Sequence, residues 1–594
     1  MFEIPTHINK RFEAGVARGK AIAVKINGVN IKAHEGESIG AVLTASGVRK
    51  IRNAPHRHDP RGLYCGMGVC HGCLVTVDGQ PNIRACVTPV ESGMEITLQD
   101  GFGKFTAEST MPVPAEAEHL QIPLVIVGGG PAGLSAAIAA ARFGIQVLVI
   151  DENRGAGGQI YRQLPPAFKV EQASRLGSDY ADGRMLLKQA ADLSQFITIW
   201  NDALVWSVFE SNQLAVEKNK TLILIDAKAI IVATGAYERP FPVEGWTLPG
   251  VMTVGGAQTL LKSQRVLPGS RVLLAGTGPR QLVVAEQMLD AGMEIVAVAE
   301  SVSHLIHPSY TFDLARQPGL MLQGLKYLMR LKRAGVPLLK SSILTGIEGT
   351  ESVEGAVVER IDNRFNRVPG TRQVFEVDTV CIGYGLIPST WLTQMLGCKH
   401  EYDALTAGLA PVSGNNMETD KPGIFVAGDG AGVAGVLVAT CEGAIAGLFA
   451  GAHAGAISKA DAEKTAGPVR KKLSALRKFR YAMDRIYRIE PGLYSDISDD
   501  TIICRCEGVT AGEVRESIRN GTVNPNDIKK RTRAGMGYCQ GTNCLPTIAM
   551  ILMNEFDVLP EALPGMTPRP PARPIPLSLL ATSGAQEKII KWKA

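Results

Sequence analysis

Apolar residues occur along most of this chain in short continuous runs that end in glycine-rich turns. The first run begins at Leu120 and predicts a buried strand, a glycine turn, a helix and a second strand. A second unit of this kind begins at Ser270, and a further buried strand ends in a turn at 233–235. Two later runs, within 374–388 and 423–435, also predict strands that lead into glycine-rich turns. Strands that alternate with helical segments are typical of α/β folds with parallel sheets.

The N-terminal part has a different pattern. Residues 21–34 alternate apolar and polar positions around Asn27-Gly28, a pair typical of a two-residue hairpin turn. Residues 38–47 then predict a short helix that ends at Gly47. We therefore expect a small β-rich unit here.

Three other segments lack both patterns. Residues 106–119 are rich in Pro, Ala and Glu and predict a linker, whereas 460–490 predict a bridging helix with a solvated basic face. The tail contains PGMTPRPPARPIP, which cannot be helical and is expected to run extended over a surface. The predicted segments are 1–105 (β-rich), 106–119 (linker), 120–245 and 375–455 (one α/β domain in two parts), 246–374 (a second α/β domain inserted into it), 456–499 (bridging helix), 500–556 (a compact cysteine-bearing unit) and 557–594 (extended tail).

The composition is that of a globular protein with several domains. The length of 594 residues suggests about four domains at roughly 150 residues each. A hydrophobic fraction of 45% and a charged fraction of 20% exclude global disorder. The formal net charge is only +5, so the sequence does not indicate nucleic-acid binding.

The apolar windows and the cysteines predict the cellular location of the protein. The N-terminal residues have no apolar core and predict no secretory signal. The window Leu124 to Ile150 is apolar enough to be tested as a membrane span, but its GGGPAG turn and β-branched ends favour strand, helix and strand. Eight of the 11 cysteines fall into two tight groups, which in a reducing cytoplasm indicates metal or redox chemistry rather than disulfides. We expect a cytoplasmic protein that could associate with the inner face of the membrane.

The first cysteine group, Cys65, Cys70, Cys73 and Cys86, has the spacing C-x4-C-x2-C-x12-C. Its first three members match the loop of plant-type 2Fe–2S ferredoxins, in which two irons take four thiolates. The loop glycines allow the backbone to wrap closely and to direct N–H groups at the sulfur atoms. A zinc site is the alternative, although zinc sites normally use paired C-x2-C arms. The order of hairpin, helix and loop resembles the β-grasp ferredoxin domain, in the short form that is fused to oxidoreductases.

The first α/β unit carries Gly128-x-Gly130-x-x-Gly133 between a strand and a helix. Gly128 allows the tight turn, Gly130 allows a pyrophosphate to approach, and Gly133 allows the helix to pack on the strand. The next strand ends at Asp151, where a carboxylate would accept hydrogen bonds from ribose hydroxyls. The complete unit predicts a dinucleotide site.

Two more turns, at Thr234-Gly235 and at Asp429, extend this match. With them the unit resembles the flavoproteins of the pyridine nucleotide–disulfide oxidoreductase type. The resemblance implies bound FAD, with Asp429 near the ribityl–phosphate region and Gly158 and Gln159 in the loop that lines the flavin. A fold that binds only a nicotinamide nucleotide would not explain Thr234 and Asp429.

The second α/β unit has Gly276 and Gly278 in its first turn, and its second strand ends at Glu300. Gln281 replaces the third glycine, and its side chain should push the helix away from the strand or crowd a ligand. Gln281 therefore disfavours NAD(P) binding, whereas the binding of another nucleotide stays an alternative. No Cys-x-x-Cys motif lies between the two units, which disfavours a disulfide reductase.

The second cysteine group has the form Cys504-x-Cys506 followed by Cys539-x4-Cys544. It resembles the bacterioferritin-associated-ferredoxin-like 2Fe–2S domain. The x4 spacing departs from the usual C-x2-C and is similar to the variant found in flavin amine dehydrogenases. Iron–sulfur, zinc and empty thiols remain open. The basic residues 529–531 between the pairs are expected to form a solvated or docking face.

The order of these parts, over nearly the whole chain, resembles the alpha (A) subunits of heteromeric opine oxidases. It is also similar to the alpha subunits of hydrogen cyanide synthase, of D-hydroxyproline and proline dehydrogenases, and of sarcosine oxidase. The resemblance implies FAD, two 2Fe–2S clusters, and a beta subunit of the D-amino-acid-oxidase type that oxidises the amine. It further implies an FMN at the subunit interface, a quinone or cytochrome acceptor and a higher hetero-oligomer.

The residues themselves indicate only electron carriers, because no substrate-binding or hydrolytic constellation is evident. A flavin can take two electrons and release them singly to one-electron clusters, so an electron-transferring subunit is the main hypothesis. A self-sufficient NAD(P)H-dependent ferredoxin-type reductase is the first alternative. A metal-handling or redox-sensing scaffold with a regulatory zinc site is the second.

Overall fold

The structure is a computed structural model that describes residues 4–5, 7–104, 117–209, 212–302, 310–563, 565–580 and 588–590. Most of the predicted linker 106–119 therefore lies outside the described residues. The described part contains several parallel and antiparallel sheets packed with helices, as the sequence predicts.

The N-terminal unit is a seven-stranded sheet that packs against one short helix. The predicted hairpin is confirmed, since Asn27 and Gly28 both have left-handed backbone angles at its turn. The predicted helix begins after Ser38, whose hydroxyl accepts a hydrogen bond from the Ala41 N–H, and ends before Gly47. The elements are β1 (Val16–Ala17), β2 (Ala21–Ile26), β3 (Val29–His34), α1 (Ile39–Ala45), β4 (Arg52–Asn53), β5 (Pro60–Arg61), β6 (Leu74–Val77), β7 (Gln80–Arg84) and β8 (Glu95–Asp100). The two-residue β1 pairs outside this sheet, with β11 of the next unit.

The first α/β unit is built on parallel strands in the order β12-β10-β9-β15, and an antiparallel extension follows along β15-β14-β13. The apolar window at 124–150 is strand, helix and strand, which confirms the prediction against a membrane span. The elements are β9 (Glu118–Val127), α2 (Pro131–Ala141), β10 (Val147–Ile150), β11 (Lys169–Val170), α3 (Ser178–Ala191), β12 (Ile197–Trp200), β13 (Ala203–Phe209), β14 (Gln213–Lys218), β15 (Thr221–Val232) and β16 (Ala236–Glu238).

The second α/β unit has a five-stranded parallel sheet in the order β17-β24-β18-β19-β20 and a separate three-stranded antiparallel sheet, β21-β22-β23. The elements are β17 (Val251–Thr253), α4 (Val254–Thr259), β18 (Arg271–Gly276), α5 (Arg280–Asp290), β19 (Glu294–Glu300), α6 (Thr311–Ala315), α7 (Pro318–Arg333), β20 (Leu338–Lys340), β21 (Ser342–Glu348), β22 (Gly355–Arg360), β23 (Gln373–Glu376) and β24 (Thr379–Gly383).

The position of β24 corrects one predicted boundary. The sequence assigned 375–455 to the first α/β domain, but β24 lies in the second sheet and pairs with both β17 and β18. The error has a physical reason, because a buried strand that ends in a glycine turn looks the same in either unit. The chain returns to the first unit only after this strand.

The returning segment completes the first sheet. Strand β25 pairs with β16, so the two connections between the α/β units form an antiparallel ribbon, and β28 pairs with the end of β15. Helix α9 packs on α2 so closely that a Cβ on Gly443 would lie 2.1 Å from the carbonyl oxygen of Ala132. Among the described residues, α9 alone has the length and composition to cross a membrane, and 67% of it is buried. The elements are β25 (Leu386–Pro388), α8 (Trp391–Met395), β26 (His400–Asp403), β27 (Gly408–Pro411), β28 (Ile424–Val426) and α9 (Val436–His453).

The C-terminal part begins with the predicted helix over 460–490, which is α10 (Lys459–Ile486). Its apolar face packs on α9, so the helix covers the first α/β unit as well as connecting segments. The tail is not helical over 565–576, as predicted, but a short helix and a strand beside β9 follow. The remaining elements are β29 (Ile502–Cys504), β30 (Val509–Thr510), α11 (Ala511–Arg519), α12 (Pro525–Thr532), α13 (Leu545–Glu555), α14 (Leu577–Leu580) and β31 (Lys588–Ile590).

Candidate functional site

A cavity of about 400 Å³ lies at the carboxyl ends of the parallel strands of the first α/β unit. Gly130 is the residue before α2, and Gly128 has a left-handed backbone angle, φ 112°. A Cβ on Gly133 would lie only 1.9 Å from the Gly128 carbonyl oxygen, and one on Gly158 would lie 3.0 Å from the Cα of Gly130. The positive end of α2 therefore opens onto a bare backbone cradle of the kind that binds a pyrophosphate.

Asp151 lies at the end of β10 on the wall of this cavity. Its Oδ2 accepts a hydrogen bond from the Gly129 N–H at 2.7 Å, and its Oδ1 accepts from the Asn153 N–H at 2.7 Å. Burial raises the pKa of Asp151, and these hydrogen bonds oppose that increase. Oδ1 also accepts from the Asn153 side-chain amide at 2.8 Å, so the second lone pair of Oδ2 is the one left to accept from a ribose hydroxyl.

The turn after β28 forms another wall. Asp429 Oδ1 accepts hydrogen bonds from the N–H groups of Ala434 and Gly435, both at 3.0 Å. The buried Glu442 supports this turn by accepting from the Gly428 N–H at 3.0 Å and from Arg477 at 2.9 Å. Of the nine predicted FAD-binding residues, the cavity is lined by Gly128, Gly130, Asp151, Gly158, Gln159, Thr234, Gly235 and Asp429, and Gly133 packs beneath it.

The first cysteine group lies in the loop between β5 and β6 and at the second residue after β7. Cys65, Cys70 and Cys73 are buried and Cys86 is half-buried. The Met67 N–H points at the Cys65 Sγ at 3.5 Å, and the Gly72 N–H points at the Cys70 Sγ at 3.4 Å. Hydrogen bonds from Cys70 and Cys86 lower the pKa of Cys65 well below its usual value. The same contacts raise the pKa of Cys70 and of Cys86, so the four thiols lie within mutual reach.

The second cysteine group joins the end of β29 to the start of α13. Cys544 is the residue before α13, and its hydrogen bond lowers the pKa of Cys504 to about 7. Cys506 is in hydrogen-bond contact with Cys539, which raises the pKa of Cys506. A Cβ on Gly537 would lie 2.2 Å from the Cβ of Cys506, so the two arms approach closely.

The two cysteine groups and the cavity are adjacent to one another. Cys65 and Met67 themselves line the cavity. Tyr237 lines it from another side and is within electrostatic reach of Cys539 and Cys544. Residues of the first cysteine loop, of the second α/β unit and of the C-terminal unit share one hydrophobic core. The three predicted cofactor sites therefore form one continuous region.

The residues fit the predicted groups in their donor chemistry. Each cysteine group offers four thiols, which is the number that a 2Fe–2S cluster needs. No group of three or more His, Cys, Asp or Glu side chains in the described ranges has the arrangement of a single-ion site. The cavity offers a glycine turn with no room for a side chain at Gly128, where a Cβ would lie 2.2 Å from the Ala233 carbonyl oxygen.

The second α/β unit has its own cavity of about 150 Å³, lined by Gly278 and Gln281 among others. The predicted crowding by Gln281 takes a different form, because its side chain turns inward and its Nε2 donates to Glu300 Oε2 at 2.7 Å. Glu300 also accepts from the Gly278 N–H at 3.0 Å and does not line the cavity. Burial raises the pKa of Glu300 to about 7. A Cβ on Gly276 would lie 2.2 Å from the carbonyl oxygen of Gly383, so this glycine serves strand packing.

Several functional residues were missed by the sequence reasoning. Arg573, in the proline-rich tail, lines the FAD cavity and lies 3.9 Å from Glu152. Arg480, on α10, lines both cavities. Arg505 lies between the predicted ligands Cys504 and Cys506, and this position is the only feature of the sequence that could have marked it as functional. Nothing local marks the other two.

Comparison with protein-family models divides the chain in the same order. Residues 19–101 match a 2Fe-2S iron-sulfur cluster binding domain, and residues 502–554 match a BFD-like 2Fe-2S binding domain. Residues 122–446, more than half of the chain, match the pyridine nucleotide-disulphide oxidoreductase family. The predicted fold class, an FAD-binding α/β protein with two 2Fe–2S domains, is confirmed.

The chain is also similar to named proteins. It is 34% identical over 471 residues to the A subunit of opine oxidase from Rhizobium meliloti. The matched region covers 77% of this chain and 87% of that relative. It is 32% identical to the HcnB subunit of hydrogen cyanide synthase from Pseudomonas aeruginosa over 78% of this chain and 99% of that relative. The solved structure of L-proline dehydrogenase from P. horikoshii has the same fold, with a TM-score of 0.70 and 21% identity over 95% of this chain and 98% of that one.

Proposed function

We propose that this chain is the electron-transferring subunit of a heteromeric amine dehydrogenase. The chain belongs to the pyridine nucleotide-disulphide oxidoreductase family. It also belongs, together with the A subunits of opine oxidases, to one family of FAD-dependent oxidoreductases. The observation that carries the proposal is the contact between the FAD cavity and the first cysteine loop, where Cys65 lines the cavity. The second cysteine group lies behind Tyr237 on another side.

Each residue set has a distinct task in this proposal. Four thiolates hold each 2Fe–2S cluster, and the glycine turn with Asp151 and Asp429 holds FAD. The ligands are Cys65, Cys70, Cys73 and Cys86 in the first site and Cys504, Cys506, Cys539 and Cys544 in the second. When bound, FAD accepts electron pairs and the clusters carry single electrons. The shared apolar core keeps water away from the region between them.

The organic substrate reacts on a partner protein in this proposal. The names of the relatives support a secondary amine, such as an opine or imino acid, as the substrate class. We propose a D-amino-acid-oxidase-type beta subunit that performs the oxidation, an FMN at the interface and a quinone or cytochrome as the acceptor. A higher hetero-oligomer in the cytoplasm, at or near the inner face of the membrane, completes the hypothesis.

Reconstitution with the partner tests this proposal. The purified, cofactor-loaded chain should reduce no dye with opines, proline, hydroxyproline or sarcosine. Co-expression with a beta subunit of the D-amino-acid-oxidase type should give amine-dependent dye reduction. A Cys65→Ser chain in the same complex should keep substrate-dependent bleaching of the partner flavin and lose dye reduction. Full amine oxidation by the isolated chain would refute the assignment.

The NAD(P)H-dependent reductase is the second candidate, and the smaller cavity is the observation in its favour. The hydrogen bond between Gln281 and Glu300 argues against it, because the acid that would bind a ribose is already engaged. We propose instead that any nucleotide in this cavity has no redox role and binds without its ribose contacting Glu300. Stopped-flow mixing with NADH separates the two, since rapid flavin bleaching would support the reductase.

A further inference from the structure

A buried patch of positive charge lies between the two cysteine groups. It consists of Arg52, Arg61 and Arg505, which are 4%, 1% and 4% exposed. Arg52 and Arg61 are directly opposite each other on the paired strands β4 and β5. Arg505 is the residue between Cys504 and Cys506. The patch therefore joins the N-terminal unit to the C-terminal unit.

The Arg505 side chain reaches from the second cysteine group to the loop of the first. Its guanidinium lies 4.3 Å from the centre of the Tyr64 ring and 4.8 Å from that of Trp246. Its Nη1 donates to the Trp246 carbonyl oxygen at 3.0 Å. Its Nη2 is 3.9 Å from the position that a Cβ on Gly72 would occupy, and Tyr64 directly precedes Cys65. One cation thus contacts both ligand-bearing segments.

An electrostatic interaction and a ring contact also connect the same two segments. Burial lowers the pKa of Arg52, and the thiols of Cys506 and Cys73, one from each group, oppose that decrease. The ring of His71, in the first loop, stacks on that of Tyr538, beside the second group, at 5.9 Å. The patch is therefore electrostatically linked to both groups.

The positive charge of the patch exceeds the negative charge that nearby side chains supply. Arg61 pairs with Asp59, whereas Arg52 and Arg505 form no ion pair with any described residue. Four buried nitrogens, Nε of Arg52, Nε of Arg505 and Nε and Nη2 of Arg61, have no hydrogen-bond partner in the described part of the chain. Buried charge of this kind is costly unless it is compensated. A cluster held by four thiolates is negatively charged, so a cluster on each side would supply the compensation.

We propose that Arg505, supported by Arg52 and Arg61, raises the reduction potentials of both clusters together and makes them one coupled pair. Reduction adds one negative charge to a cluster, and a buried cation stabilises the reduced form more than the oxidised form. One electron then passes from one cluster to the other with no bond made or broken and no proton moved. The inference rests on the proposed electron-transferring function and adds a direct route between the clusters.

Redox titration of the full, cofactor-loaded chain, followed by EPR, tests this inference. The two signals are assigned in Cys65→Ser and Cys504→Ser chains. Arg505→Gln should lower both midpoint potentials, each by at least a tenfold change in the equilibrium constant, or about 59 mV for a one-electron couple. Magnetic broadening when both clusters are reduced reports their separation, so it should be the same in Arg505→Gln as in the unmodified chain. Arg505→Lys should restore most of the potentials.

Arg519→Gln is the matched control, because Arg519 belongs to the same unit but is exposed in the last turn of α11. It should leave both potentials unchanged. A shift confined to the C-terminal cluster, or no shift, would overturn the inference. The iron and sulfide contents of each variant show whether a cluster has been lost. If Arg505→Gln loses a cluster, the two midpoint potentials are measured in Arg52→Gln instead, and the same outcomes decide the inference. Mediated titration needs neither amine nor partner, so failure of amine oxidation in the complex would refute only the proposed function.

Discussion

Replacing Gly133 by alanine tests whether close packing of α2 on the glycine turn creates the FAD site. The added Cβ would lie 1.9 Å from the Gly128 carbonyl oxygen. Carbon and oxygen atoms that are not bonded normally stay roughly 3.3 Å apart. The turn and the helix must therefore separate by about 1 Å or more, which moves the N–H groups of the cradle away from the pyrophosphate.

The expected cost follows from similar overpacking in protein cores, which is about 1–3 kcal/mol. If this cost falls on the bound state, FAD affinity decreases roughly 5- to 150-fold, since about 1.4 kcal/mol corresponds to a factor of ten. Flavin fluorescence, titrated into chain stripped of FAD, measures the dissociation constant directly. The thermal midpoint of the same samples separates weaker binding from general unfolding.

Gly467→Ala is the matched control, because Gly467 lies on α10 and its Cβ would meet no atom within 4 Å. Alanine is favoured over glycine in a helix by up to about 1 kcal/mol, so this variant should bind FAD normally and melt no earlier. Equal FAD affinity in Gly133→Ala and the unmodified chain would refute the reasoning about the cradle.

Three further predictions address other parts of the site. Cys504→Ser should halve the iron and sulfide content per FAD and leave the N-terminal EPR signal, and loss of both signals would contradict separate sites. Arg573→Ala should weaken FAD retention during dialysis, because Arg573 lines the cavity, whereas Arg569→Ala, at a tail residue that does not line it, should not. Burial raises the pKa of Glu300 from 4.5 to about 7, so its contribution to stability is present below about pH 4.5 and is lost as the pH rises through 7. Glu300→Gln should therefore gain stability relative to the unmodified chain between pH 5 and 8, by up to about 3 kcal/mol, in chemical unfolding curves. A constant difference across that range would contradict this assignment.

Local motifs allowed much of the site to be predicted. The turn at Gly128, Gly130 and Gly133 depends on a strand and a helix that are adjacent in sequence, and each cysteine group has its own spacing. The hairpin at Asn27-Gly28 is equally local. Such features need no knowledge of the distant chain.

Long-range features could not be predicted in this way. The strand Thr379–Gly383 was assigned to the wrong domain because its sequence does not record which sheet it enters. Gln281 was expected to disturb the helix, but the partner that turns it inward, Glu300, lies on another strand. Arg573 reaches the cavity from a tail whose path depends on the surfaces of several units.

The burial of the cysteines has a consequence for how the protein matures. Six of the eight grouped thiols are buried, Cys86 and Cys506 are half-buried, and the His71 and Tyr538 rings stack across the contact between the N-terminal and C-terminal units. An iron-delivery factor needs open access to each thiol. We therefore expect iron and sulfide to be inserted before the N-terminal and C-terminal units dock against each other.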